Sequence, residues 1–158
     1  MWNSKKSTVC SLVCTRAVMV LLIIAAVFLP KLIGYYFSSN AAYRVSYLGA
    51  AMDQAGGTTL MVTLYLCCIP AAAALICLDR LLSNIMKGSI FIDRNVKFLR
   101  VISWCCFLVG AILLILVRYY IFFICAAIIV ALMGLIVRVV KNVIEEAVVI
   151  KKENDYTI

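Results

Sequence analysis

Four long apolar blocks dominate the chain, Ala17 to Phe37, Thr58 to Leu78, Val101 to Val117 and Ile121 to Val137, and almost every charge lies outside them. A bilayer's hydrocarbon core is about 30 Å thick and takes about 20 helical residues to cross. The blocks therefore predict an all-α, polytopic membrane protein: four transmembrane helices in a single membrane domain over 1–158, surrounded by lipid. A soluble fold could not hide this much apolar surface. Hydrophobic residues make up 66% of the chain and charged ones 14%, with a mean hydropathy of +1.12, whereas soluble domains run to about 45–50% and about 25%. Four spans and their connections use nearly all 158 residues, so no separate soluble domain is expected.

Orientation follows from the basic residues. Lys5, Lys6 and Arg16 precede the first span. Arg80, Lys87, Arg94, Lys97 and Arg100 fill the middle connection, and Arg138, Lys141, Lys151 and Lys152 follow the last span. Only Lys31, Arg44 and Arg118 fall on the other side. Short loops rich in Lys and Arg stay on the cytoplasmic side, which predicts both termini cytoplasmic and a multi-pass protein of the cytoplasmic membrane. The net charge of +8 is then a topology signal with a weak attraction to anionic headgroups. It does not predict direct nucleic-acid binding, which needs a compact basic surface. A cleaved signal peptide is the alternative for the first block, but the run exceeds a typical h-region of 7–15 residues.

Pro30 sits late in the first span and Pro70 within the second, each a place for a kink. Lys31 reads as a snorkelling amine, with a functional intramembrane cation as the alternative. Tyr35, Tyr36, Tyr43 and Tyr47 in or beside the outer connection Ser38 to Gly57 read as interfacial anchors, with a ligand-binding ring as the sharper option. Ala71 to Ala74, Cys106 with Gly110, and Ala127, Ala131 with Gly134 place small residues at helix-contact spacing, which predicts the seams of the bundle. Association of copies into a homo-oligomer through one seam is the alternative.

Little is left for chemistry. The eight cysteines form no C-x-x-C pair and none lies in an outer loop; they read as small fillers, with Cys10 and Cys14 as acylation candidates. There is no histidine, which removes the common haem ligation and histidine-based zinc catalysis. All seven acidic residues fall in loops, tails or at a helix end, so no buried carboxylate couples proton movement to transport. The chain is expected to be no enzyme, with no catalytic, cofactor or metal site.

The polar patterning concentrates in an elbow, 79–100, and a tail, 138–158. Leu81, Leu82, Ile85 and Met86 continue the second helix, Gly88 can end it in a left-handed cap, and Asp93 can cap an amphipathic start to the third. The fourth helix is expected to run past Arg138 into the cytoplasm, with an apolar stripe of Val140, Ile144, Ala147 and Ile150, or Val143, Ala147 and Ile150. The elbow reads as an interfacial anchor through Phe91 or as a docking site. The tail stripe needs cover, either from the elbow through Phe91 and Leu99 or from a soluble partner. The candidate partner surface is thus Gly88, Phe91, Asn95, Leu99 and Arg100 with Ile144, Ala147, Asp155, Tyr156, Thr157 and Ile158.

At these residues the chain resembles the bacterial membrane family known as domain of unknown function 2975. The resemblance lies in Leu29-Pro30, Leu64-Tyr65 with Ile69-Pro70, the Gly88, Phe91, Asn95, Leu99 and Arg100 stretch, and the Glu153 to Ile158 ending, where Tyr156 stands in place of the usual leucine. It implies a four-span protein of unassigned role, often encoded beside a small helix-turn-helix regulator. Two functional classes follow. One is a regulatory or interaction protein whose elbow and tail hold such a cytoplasmic partner. The other is a transport, permeability or immunity-like self-protection role carried by the spans.

Overall fold

A computed structural model describes residues 4–39, 49–88, 91–118 and 121–155, with side chains over 6–35, 57–88, 91–118 and 121–154. The described chain is all-helical: α1 (Ser4–Ser39), α2 (Gly49–Met86), α3 (Asp93–Val117) and α4 (Phe123–Asp155). Each contains a stretch long and apolar enough to cross a membrane. At about 1.5 Å per residue, the 25 residues of α3 span about 38 Å and the 33 of α4 about 50 Å.

The connection between the first two helices is shorter than the sequence suggested, because α2 starts at Gly49 and takes Gly56 and Gly57 into the helix. Ala50, Ala51, Met52, Gln54 and Ala55 are mostly strong helix formers, and they outweigh the local polarity that read as loop. Tyr36, Tyr43, Tyr47, Tyr119 and Tyr120 lie outside the residues whose side chains are described.

α1 and α2 run unbroken through Pro30 and Pro70. A proline has no N–H to give the carbonyl four residues back, and for Pro30 that carbonyl belongs to Ala26. The phenol of Tyr65 on α2 donates to the Ala26 oxygen at 3.0 Å. One hydrogen bond thus satisfies the acceptor that the proline leaves open and fastens α1 to α2. At the far end of the same pair Arg16 donates to Asp79 at 3.0 Å.

Among the described residues, backbones approach closely only between chain neighbours: α1 with α2, α2 with α3, and α3 with α4. The expected bundle is therefore a single-file array with α2 and α3 inside it, and α3 is the more enclosed of the two. The most apolar stretch of α3 is 33% buried, against 6%, 11% and 11% for α1, α2 and α4. Leu113, the fully enclosed Leu116, Cys67 of α2 and Ala127 of α4 form the core, with Leu60, Val109, Ile112 and Phe123 packed around it. Most other large apolar side chains face outward, as lipid contact requires.

The α3/α4 seam is built from the small residues that the spacing picked out. A Cβ placed on Gly134 would lie 3.1 Å from the Cys106 Cβ and 3.4 Å from the Ser103 carbonyl oxygen. A Cβ on Gly110 would lie 3.4 Å from the Ala127 oxygen and 3.9 Å from the Ala131 Cβ. Without side chains at these points the backbones close up, and the buried Ser103 hydroxyl donates across the seam to the Gly134 carbonyl at 2.9 Å. All eight cysteines are free thiols.

Candidate functional site

Among the described residues, polar side chains gather at the end of the array where α1 and α3 begin and α2 and α4 finish. Gly88 ends the α2 side there. Its φ of 77° lies in the left-handed region, and its N–H donates to the Ile85 carbonyl at 3.0 Å. Phe91 is exposed, and Ile92 enters α3 in an extended conformation. Ser89 and Ile90 lie outside the described residues.

Asp93 does not cap α3. Ile92 occupies the cap position without a side-chain bond, and the Asp93 carboxylate, already inside the first turn, accepts from Lys152 of α4 at 2.8 Å. Two helical turns further along α3, and two turns back along α4, Arg100 donates to Glu145 at 3.2 Å. Lys141 pairs with the other Glu145 oxygen across one turn of α4. These contacts set an antiparallel register that joins elbow and tail. The Lys152 hydrogen bond holds the Asp93 carboxyl below the usual carboxylate range, with the charges of Lys152 and Lys97 adding to it. The hydrogen bond from Lys141, then its charge and that of Arg100, does the same for Glu145.

The proposed partner residues divide. Asn95, 1% exposed, accepts at its side-chain oxygen from the Asn84 amide at 2.9 Å, which ties α3 to α2. Leu99 is buried as well. Both serve the protein's own packing, since α3 turns Asn95, Val96, Leu99, Ile102 and Ser103 inward. Gly88, Phe91 and Arg100 remain at the surface. On α4, Ile144 and Ala147 are half-buried. The Asp155 side chain and Tyr156, Thr157 and Ile158 lie outside the described residues.

The tail's covered face is rotated from the expected stripe. Val148, 3% exposed, is the residue enclosed there, whereas Val143 and Ile150 are 62% and 58% exposed. The reason is that valine or isoleucine stands on every side of this helix, so hydropathy alone leaves its orientation open. The Glu145 and Lys152 pairs fix it, turning Lys141, Ile144 and Val148 toward α3. Val139, Val143 and Ile150 then stand exposed on the opposite face, with the exposed Glu146 between Val143 and Ile150.

Two clefts open at this end. One, of about 260 Å3, lies between α2 and α3 and is lined by Asp79, Arg80, Ser83, Asn84, Lys87, Arg94 and Phe98. The other, of about 240 Å3, lies between α3 and α4 and is lined by Arg100, Ser103, Trp104, Arg138 and Lys141. In the second, the Arg138 guanidinium stands 5.6 Å from the centre of the Trp104 ring. Sequence reasoning missed these cross-helix partners and the Tyr65 bond to Ala26. The available clue was complementary charge at matching distances from the α3/α4 turn.

Four helices long and apolar enough to cross a membrane define a multi-pass membrane protein whose surroundings are the lipid bilayer. The chain matches the family described as "Protein of unknown function (DUF2975)" over residues 7–158, and it belongs to that family. No curated protein and no solved structure matches it.

Proposed function

We propose that this is a non-catalytic regulatory protein of the bacterial cytoplasmic membrane, and that it holds a soluble partner against the projecting end of α4. The basic asymmetry supports an orientation with both termini and the elbow in the cytoplasm. Trp104 with Arg138 and Lys141 has the composition of an interfacial belt, which supports a hydrocarbon edge near Arg138 with the last turns of α4 beyond it.

The observation that carries the reading is the uncovered stripe. Beyond that edge Val139, Val143 and Ile150 stay exposed although the elbow is packed on the other side of the same helix. Exposed aliphatic residues at helical spacing are the anchors of a helix-in-groove contact. The resemblance in the elbow and tail supports a small helix-turn-helix regulator as the partner, which would bring any nucleic-acid contact with it.

The experiment places a photo-crosslinking residue at Val143 or Ile150 in membranes that also contain the neighbouring regulator, with Leu132, on the same face within the span, as control. The expected result is an adduct with the regulator from Val143 and Ile150, none from Leu132, and loss of the Ile150 adduct in Val143→Glu. Adducts with lipid alone at all three positions would refute the reading.

A further inference from the structure

The α3/α4 cleft has a chemistry separate from the Val143 stripe, which lies on the other side of α4. Arg100, Arg138 and Lys141 bring three positive charges to it, and Glu145 returns one negative charge through its pairs with Arg100 and Lys141. Two positive charges remain. Arg138 is held over the Trp104 ring at 5.6 Å, an arrangement that fixes the guanidinium while leaving its donors free for an oxyanion.

An apolar groove lies further along the same helix pair. Phe107, Gly110, Ala111 and Leu114 of α3 with Ala131 of α4 help line a second cavity of about 290 Å3. Trp104, Phe107, Ala111 and Leu114 recur at spacings of three or four residues, as do Lys141, Arg138, Gly134 and Ala131, so cleft and groove lie along one face of the helix pair. Trp104 and Phe107 meet edge to face at the junction, with ring centres 6.4 Å apart. Glycine and alanine on the floor of the groove leave space between the walls formed by Phe107, Leu114 and Ile128. From Trp104 to Leu114 it runs about 15 Å down the helix.

We infer that this face seats one anionic phospholipid of the surrounding bilayer, with its phosphate between Arg138, Lys141 and Arg100 and an acyl chain along Phe107, Ala111 and Leu114. The charge selects the headgroup: a cleft with two net positive charges favours a lipid carrying net negative charge over a zwitterion, whose own cation it would repel. The groove selects a lipid over a free anion, since only a lipid fills both halves.

The test uses the full-length protein with Trp2→Phe, so that Trp104 is the sole tryptophan, in nanodiscs of phosphatidylcholine containing a graded fraction of phosphatidylglycerol brominated on its acyl chains. The expected result is Trp104 quenching that saturates at a low mole fraction, while brominated phosphatidylcholine quenches only in proportion to its amount. Arg138→Gln and Lys141→Gln should each raise the half-saturating fraction about five-fold, the worth of one interfacial cation. Glu145→Gln should lower it, a direction that loss of structure does not produce. Ala111→Phe, which fills the groove and leaves the cations in place, should weaken the quenching. Equal, non-saturating quenching by both lipids would overturn the inference. So would full relief of the quenching by millimolar inorganic phosphate together with no effect of Ala111→Phe, because that combination marks a free-anion cleft.

Discussion

Replacing Tyr65 by Phe removes one oxygen atom and should loosen α1 specifically. The phenol donates to the Ala26 carbonyl at 3.0 Å, an acceptor that Pro30 cannot satisfy within its own helix. In lipid no water takes its place. Interhelical hydrogen bonds in membranes average about 0.6 kcal/mol, with model peptides at about 1–2 kcal/mol, the smaller values arising where the freed groups find other partners. Pro30 deprives the Ala26 oxygen of its intrahelical donor, so the cost of Tyr65→Phe should lie toward the upper end, at about 1–2 kcal/mol. The cost should fall on the docking of α1, which packs on α2 alone among the described residues. Pro30→Ala supplies the missing N–H and removes the ring that displaces the carbonyl, so in that background the phenol has little left to do. A double-mutant cycle by denaturant unfolding in lipid bicelles, with a fluorescence pair across α1 and α2, measures the coupling directly. The expected value is about 1 kcal/mol or more, well outside the 0.3–0.5 kcal/mol within which independent sites add. If Tyr65→Phe costs the same with Pro30 and with Ala at that position, the account of the proline's orphan carbonyl is wrong.

Three further outcomes are expected. Alanine at Gly134, where the new methyl would lie 3.1 Å from Cys106, should destabilise the α3/α4 pair by about 1–3 kcal/mol; Gly110→Ala should cost less, and Gly34→Ala, with nothing within 4 Å, should be neutral or gain up to about 1 kcal/mol of helix propensity. Thermal unfolding in bicelles should reproduce that order, and a Gly34 variant as unstable as the Gly134 one would contradict it. Asp93 and Glu145 are held below the ordinary carboxylate range, so their contribution to the elbow and tail junction is complete above about pH 5 and is lost as pH falls through their lowered values; amide protection near Val148, taken relative to the intrinsic exchange rate at each pH, should fall on acidification, less so in Asp93→Asn, and an unchanged acid response in that variant would assign the effect elsewhere. A cysteine at Ser39 should react with an impermeant thiol reagent on intact cells and one at Ser89 only after permeabilisation; the reverse labelling would invert the proposed orientation.

The elements were legible wherever a residue had one physical use. Gly88 ends a helix because only its backbone relaxes at a φ of 77°, and the glycines and alanines of the α3/α4 seam face each other because the helices can close up nowhere else as tightly. The face of α4 beyond Arg138 was not legible, since Val139, Val140, Val143, Ile144, Val148, Val149 and Ile150 surround the helix and any of several stripes satisfies hydropathy. Its orientation is set by Glu145 and Lys152, whose partners sit on another helix. Asp93 misled for the same reason: its type suits a cap, and a lysine 59 residues away claims it instead. The single-file order was out of reach because lipid-facing and protein-facing residues are equally apolar here. Without a contrast in polarity, periodicity cannot tell a buried face from a wet one, as it can in water.

Single-file packing also keeps the parts separable. α2 and α3 each touch a helix on both sides, and the polar contacts of α3 run outward in two directions, through Asn95 to α2 and through Asp93, Arg100 and Ser103 to α4. α1 is fastened by Tyr65 and by the Arg16 pair with Asp79, and Asp79 in turn lines the cleft with Arg80, Lys87 and Arg94. A shift of α1 therefore acts first on the α2/α3 cleft and reaches the tail only by moving α3. A substitution in the α3/α4 seam acts on the tail directly and leaves α1 in place. The same tail phenotype produced by Tyr65→Phe and by Gly134→Ala would accordingly place α3 between them as the element that moves.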